Sequence, residues 1–117
     1  MEAEKSLTFR LESYLVQLAD VNRRWTEWLA GSELAAVSQN SEGLLALQPQ
    51  AETLFQELEQ VIADRQQLLD DARQSGLPHS DLTSMARRLP AWDKPSLRNG
   101  LLAARQQLAN LRRLHVA

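Results

Sequence analysis

Two histidines are the only side chains in this chain that titrate near neutrality in their ordinary state, so any general acid–base chemistry would start from them. His79 stands in a Leu77-Pro78-His79-Ser80 turn and His115 close to the C-terminus, and neither has a third group spaced to orient it as a base. There is no cysteine, which removes thiolate nucleophiles, disulfides and thiolate metal sites together. No glutamate is followed three residues later by a histidine, the pairing that metal sites inside helical bundles use, and no glycine-rich phosphate loop is present. These residues predict a protein that is not an enzyme and has no cofactor and no metal centre.

The chemistry that remains is apolar contact. Trp25 and Trp28 fall on one helical seam, where core packing is the default, yet at a helix end beside Gly31-Ser32 they could also hold a partner's side chain. Trp92 lies between Pro90 and Pro95 and fits no seam; it either closes the end of a bundle or meets a partner. Leu101, Leu102, Leu108, Leu111, Leu114 and Val116 form a stripe wider than a two-residue seam. One side of it can pack internally while the other receives a guest helix.

Three long helices must position these residues. Leu7, Leu11, Tyr14, Leu18, Val21, Trp25 and Trp28 alternate in steps of four and three, with Phe9, Leu15, Val16 and Leu29 on the flanks, and Gly31 is the expected stop near Ala30. A short turn carrying Leu34 and Val37 is expected next. A second helix begins near Ser41 with the seam Leu44, Leu47, Ala51, Leu54, Leu58, Val61, Arg65, Leu68 and Ala72. Pro49 falls inside it, at a cost of about 3 kcal/mol to an uninterrupted helix. The seam keeps its phase through the proline, which favours continuity, whereas a fresh start at Pro49 is the alternative. Gly76, Leu77 and Pro78 close the segment.

Ser80 is the expected cap of a brief helix with Leu82, Met85, Ala86 and Leu89 inward, and Pro95 opens a last helix with the seam Leu97, Leu101, Ala104, Leu108 and Leu111. No window alternates apolar and polar residues over strand length. The expected fold is all-α: a single domain over 1–117, an antiparallel helical bundle of three long helices plus one or two short ones.

Charge is segregated along the chain. Residues 32–72 hold eight acids against Arg65 alone, net −7, whereas residues 73–117 hold eight bases against Asp81 and Asp93, net +6, within a total of −2. One reading places the acidic second helix beside the basic last helix, each satisfying the other. The other makes the basic face a site for an acidic partner or nucleic acid. Against nucleic acid, the last helix has no aromatic residue to stack on bases, and an acidic neighbour would cancel its field. No run of about 18 apolar residues and no basic, apolar leader occurs, so no membrane insertion and a cytoplasmic location are expected.

Three stretches carry a likeness to a known family. LALQPQAETLFQELEQVIADRQQLLDDA is a Leu- and Glu-rich helix ending in Arg65, Leu68 and Leu69; SGLPHSDLTSMARRLP has a Gly-Leu-Pro stop before a short helix; and SLRNGLLAARQQL contains Asn99, Gly100, Leu101 and Leu102. Together they resemble the FlgN-type flagellar export chaperones. The resemblance implies a cytoplasmic, non-enzymatic chaperone that binds the amphipathic terminal segments of hook-filament junction proteins and delivers them to the flagellar type III export apparatus. It places the guest along the last helix, at Asn99, Leu101, Leu102, Leu108, Leu111 and Leu114, with Trp92 nearby. The single tyrosine is Tyr14, so a docking tyrosine near the C-terminus has no counterpart here. The rival reading is a self-associating structural or adaptor bundle, a homodimer without a secretion client. An Asn-Gly pair inside a helix is costly and calls for a close helix contact or a local opening.

Overall fold

A computed structural model describes the backbone of residues 2–116 and the side chains of residues 4–111. Its elements are α1 (Glu2–Val37), α2 (Ser41–Gln74), α3 (Leu82–Ala86), a 3-10 turn (Pro90–Asp93) and α4 (Pro95–Val116). Among the described residues there is no strand, and the fold is an all-α antiparallel bundle. The molecule measures 56 × 24 × 20 Å with a radius of gyration of 17.0 Å, against about 13 Å for a compact chain of this length. A helix rises about 1.5 Å per residue, so α1 alone accounts for nearly the whole long axis.

The α1 seam is inside as expected from Leu7 to Trp25, with Leu11 and Leu18 fully buried, while Trp28 is half-buried at its upper end. Leu54, Leu58, Val61, Leu68 and Ala72 of α2 face it. The antiparallel register is marked by Arg10 with Asp71 (2.6 Å), Arg24 with Glu57, and the Trp28 indole N–H donating to the Leu47 carbonyl (2.8 Å). Phe9 and Val16 do not widen the stripe. Both point outward and are 71% exposed, because α2 and α4 together cover only one side of α1.

Gly31 does not end α1. The helix runs on through Leu34 to Val37, absorbing the expected separate turn, and stops at Gln39, whose φ is +54°. There the Gln39 N–H bonds to the Ala36 carbonyl (3.1 Å) and the Asn40 N–H to the Ala35 carbonyl (2.8 Å), the paired closure of a Schellman motif. Gly76 ends α2 the same way at φ +75°, with Gly76 N–H to Arg73 (3.1 Å) and Leu77 N–H to Ala72 (2.8 Å). α2 passes through Pro49 as one helix. Its first turn is capped by Asn40, whose side-chain oxygen accepts from the Gly43 N–H at 3.0 Å.

Asp81, not Ser80, caps α3: its carboxylate accepts the Ser84 N–H at 2.7 Å. The hydrogen bonds from the Ser84 and Thr83 backbone hold that carboxyl below the usual aspartate range. Leu82, Met85, Ala86 and Leu89 close the base of the bundle. α4 then returns alongside α1 in the same direction, Gly100 beside Leu15 and Asn110 donating to Asn22 at 2.9 Å. A Cβ at Gly100 would lie 3.2 Å from the Leu15 methyl, so the Asn-Gly pair marks a close helix contact. Leu97, Leu101, Ala104 and Leu111 are buried as the seam requires.

The expected mutual neutralisation of α2 and α4 is not what forms. Asp71 and Glu57 of α2 pair with Arg10 and Arg24 of α1, and among the described residues no ion pair joins α2 to α4. α4 lies chiefly on α1, and it approaches α2 much less closely. A furrow is therefore left between α2 and α4.

Candidate functional site

The furrow deepens into a cleft of about 490 Å³ where α2, α3 and α4 meet. α2 contributes Arg65, α3 and its cap contribute Asp81 and Leu82 with Arg87 just beyond, and α4 contributes Leu101, Arg105 and Leu108. Leu82 and Leu101 are buried walls, and Leu108 is half-buried at the edge of the core. The cleft thus joins leucine walls to polar groups, among which Arg65, Arg87 and Arg105 outnumber the single carboxylate of Asp81.

Above it, α2 presents Phe55 and Ile62, 41% and 56% exposed. With Leu58 and Arg65 they follow steps of three and four, which puts them on the side of α2 that borders the furrow. Phe55 stands edge-on to Trp25 with ring centroids 5.5 Å apart, and Trp25 meets Trp28 in the same way at 5.7 Å. The apolar border of the furrow therefore continues upward from the cleft to an aromatic cluster.

The residues expected to hold a partner divide sharply. Leu101 and Leu111 are 5% and 3% exposed and belong to the core, so a guest lying on α4 cannot reach Leu111 and meets Leu101 only as a cleft wall. Seam positions on a helix bundle go inside first, which is the physical reason for this correction. Leu108 borders the cleft. Leu102 is 61% exposed but about 100° round the helix from Leu101, on the outer face, and Asn99 is exposed. Trp92 is half-buried against the core with the Arg87 guanidinium 5.9 Å from its ring centroid. The side chains of Leu114, Val116, Arg112, Arg113 and His115 lie outside the described residues.

Sequence reasoning singled out neither Phe55 nor Ile62, because each falls off the α2 seam. Arg65 carried the one visible signal: a charged residue at a seam position of a leucine-rich helix. Trp28 is engaged internally by its hydrogen bond to Leu47, and a second depression of about 490 Å³ lies beside it between the helices at Pro49. His79 is exposed in the α2–α3 connection. Among the described residues no group of three His, Cys, Asp or Glu side chains converges on a metal position, and no helix is long and apolar enough to cross a membrane. In comparisons with family models, curated proteins and solved structures, nothing matches this chain.

Proposed function

We propose that this protein is a cytoplasmic chaperone of flagellar type III export that masks the amphipathic terminal segments of hook-filament junction proteins before passing them to the export apparatus. The observation that carries the reading is the furrow between α2 and α4. Three helices leave room for a fourth along a strip running from Ile62 to the Leu101–Leu108 wall. A guest helix laid there would bury its own apolar face at about 25 cal/mol per Å², less the cost of ordering a flexible segment, which favours modest and reversible affinity. Reversibility suits a carrier that must release its load. The likeness of three sequence stretches to FlgN-type chaperones supplies the identity of the guest.

Titration of labelled peptides from the ends of junction proteins tests it. Binding in the micromolar range is expected, weakened about tenfold or more by Ile62→Asp and left unchanged by Leu102→Asp on the far side of α4. Circular dichroism of both variants establishes that they are folded. Failure of every junction segment to bind, or equal binding by both variants, refutes the furrow as the client site.

Self-association is a second reading, favoured by Phe9 and Val16, which lie seven residues apart on the outer face of α1 and are both 71% exposed. It requires a dimer in sedimentation that Val16→Asp dissociates.

A further inference from the structure

Nine arginines have described side chains, and two sets of three among them stand in contrast. Arg10, Arg23 and Arg24 each sit in an ion pair with a carboxylate of α1 or α2. Arg65, Arg87 and Arg105 come from three different elements, line the one cleft, and make no ion pair among the described residues. The one carboxylate lining that cleft is Asp81, which caps α3 through the Ser84 N–H and also feels the charge of Arg105. Arg87 lies over the Trp92 ring, which steadies the guanidinium but leaves its charge unopposed. A chain of net charge −2 thus gathers three cations and a single anion around a cavity walled in part by leucines. Like charges brought together beside low-dielectric walls raise the local potential, and an anionic ligand is what lowers it.

We propose that the cleft selects an acidic amphipathic helix, whose carboxylates meet Arg65, Arg87 and Arg105 while its aliphatic side chains pack against Leu82, Leu101 and Leu108. The inference takes from the proposed function that the furrow receives a polypeptide segment, and adds the charge that the segment carries. Both halves of the site are needed for this assignment. The cations call for an anion, and the leucines that line the cleft itself offer no aromatic ring for a nucleic-acid base to stack on. Carboxylates one helical turn apart, beside leucines, reach cations on α2 and α4 at once, and bidentate pairing with guanidinium fixes the register.

The experiment uses the full chain and two designed helical peptides of identical leucine pattern, one bearing glutamates on the face that meets the rim and one bearing glutamines. Fluorescence anisotropy is expected to show the acidic peptide binding about tenfold tighter or better at low salt, with the advantage fading as ionic strength rises. Arg65→Gln with Arg105→Gln removes the preference, Arg87→Gln reduces it, and Arg23→Gln, on the outer face of α1, leaves it intact. Thermal unfolding of each variant verifies the fold. Equal binding of the two peptides, no binding of either, or a preference that survives the double variant overturns the proposal. So does a single-stranded oligonucleotide that binds as tightly as the acidic peptide, or a dimer that the double variant dissociates, which would give the cleft to a second copy.

Junction-protein segments titrated in parallel separate this inference from the reading beneath it. If they bind without regard to Arg65 and Arg105, the export function stands and the charge selection falls. If only the designed acidic peptide binds, and does so through those arginines, the flagellar assignment falls and the charge selection stands.

Discussion

At its base the hairpin of α1 and α2 is wrapped by α3, the 3-10 turn and the start of α4, and the seam there is closed from Leu7 to Trp25 on one strand of the hairpin and from Leu54 to Ala72 on the other. At its tip the same two helices continue beyond Asn22 and Thr26, where Asn110 of α4 makes its contacts. Between Trp25 and Leu54 the one buried residue is Ala35, while Leu34, Val37, Leu44 and Leu45 stay exposed. Two helices can share one line of contact, but a third element is needed to turn that line into a core. The tip is therefore held by local devices: the Schellman closure at Gln39, the Asn40 cap and the single Trp28–Leu47 hydrogen bond. Local opening should begin there, and the base should set the global stability.

The strongest way to break this contrast is to cut both ends equally and find equal losses. Leu11→Ala at the base removes a side chain with no exposure and is expected to cost about 2–5 kcal/mol in chemical denaturation. Leu45→Ala at the tip, 62% exposed in the wild type, is expected to fall within about 0.5 kcal/mol of zero. Comparable values for the two would mean that the tip carries a core of its own.

Pro49 sharpens the contrast. It sits in the third turn of α2, and lacks the N–H that would bond to the Leu45 carbonyl four residues back. Pro49 itself is exposed, unlike the seam residues at the base. Pro49→Ala should strengthen this segment by up to about 3 kcal/mol, read as slower hydrogen exchange for amides on both sides of position 49. Exchange unchanged there, or slowed equally at the base, would show that the proline is not what loosens the tip.

The base was legible in the sequence and the tip was not, for a reason that lies in the packing. Alternation in steps of three and four identified Leu7, Leu11, Leu18, Leu54, Leu58 and Leu68 as interior because partners exist on both sides of them. The same alternation carried on through Leu44 and Leu47, of which the first is exposed and the second half-buried, so periodicity overstated burial. The end of α1 was misplaced because Gln39 adopts the left-handed backbone that Gly31, eight residues earlier, seemed better suited to supply. The cleft was half legible. A basic last helix with a wide leucine face was plain, but Arg65, Arg87 and Arg105 meet only because the chain folds back twice between them, and no local pattern records that.

Gly31 gives the smallest and cleanest test of how the tip is held. It lies inside α1 with an ordinary helical φ, and a Cβ built there has no heavy atom within 4 Å. Among the described residues nothing uses its lack of a side chain. Gly31→Ala should therefore report helix propensity alone, a gain of about 0.5–1 kcal/mol drawn from the entropy that glycine loses on ordering. Because the tip opens before the base, the gain should appear as protection of amides from Trp28 to Val37, with a smaller shift of the global midpoint. A loss of stability would mean that α1 bends or opens at Gly31 in solution, and that the tip is divided from the base by a joint rather than by the exposure of Leu34, Val37, Leu44 and Leu45.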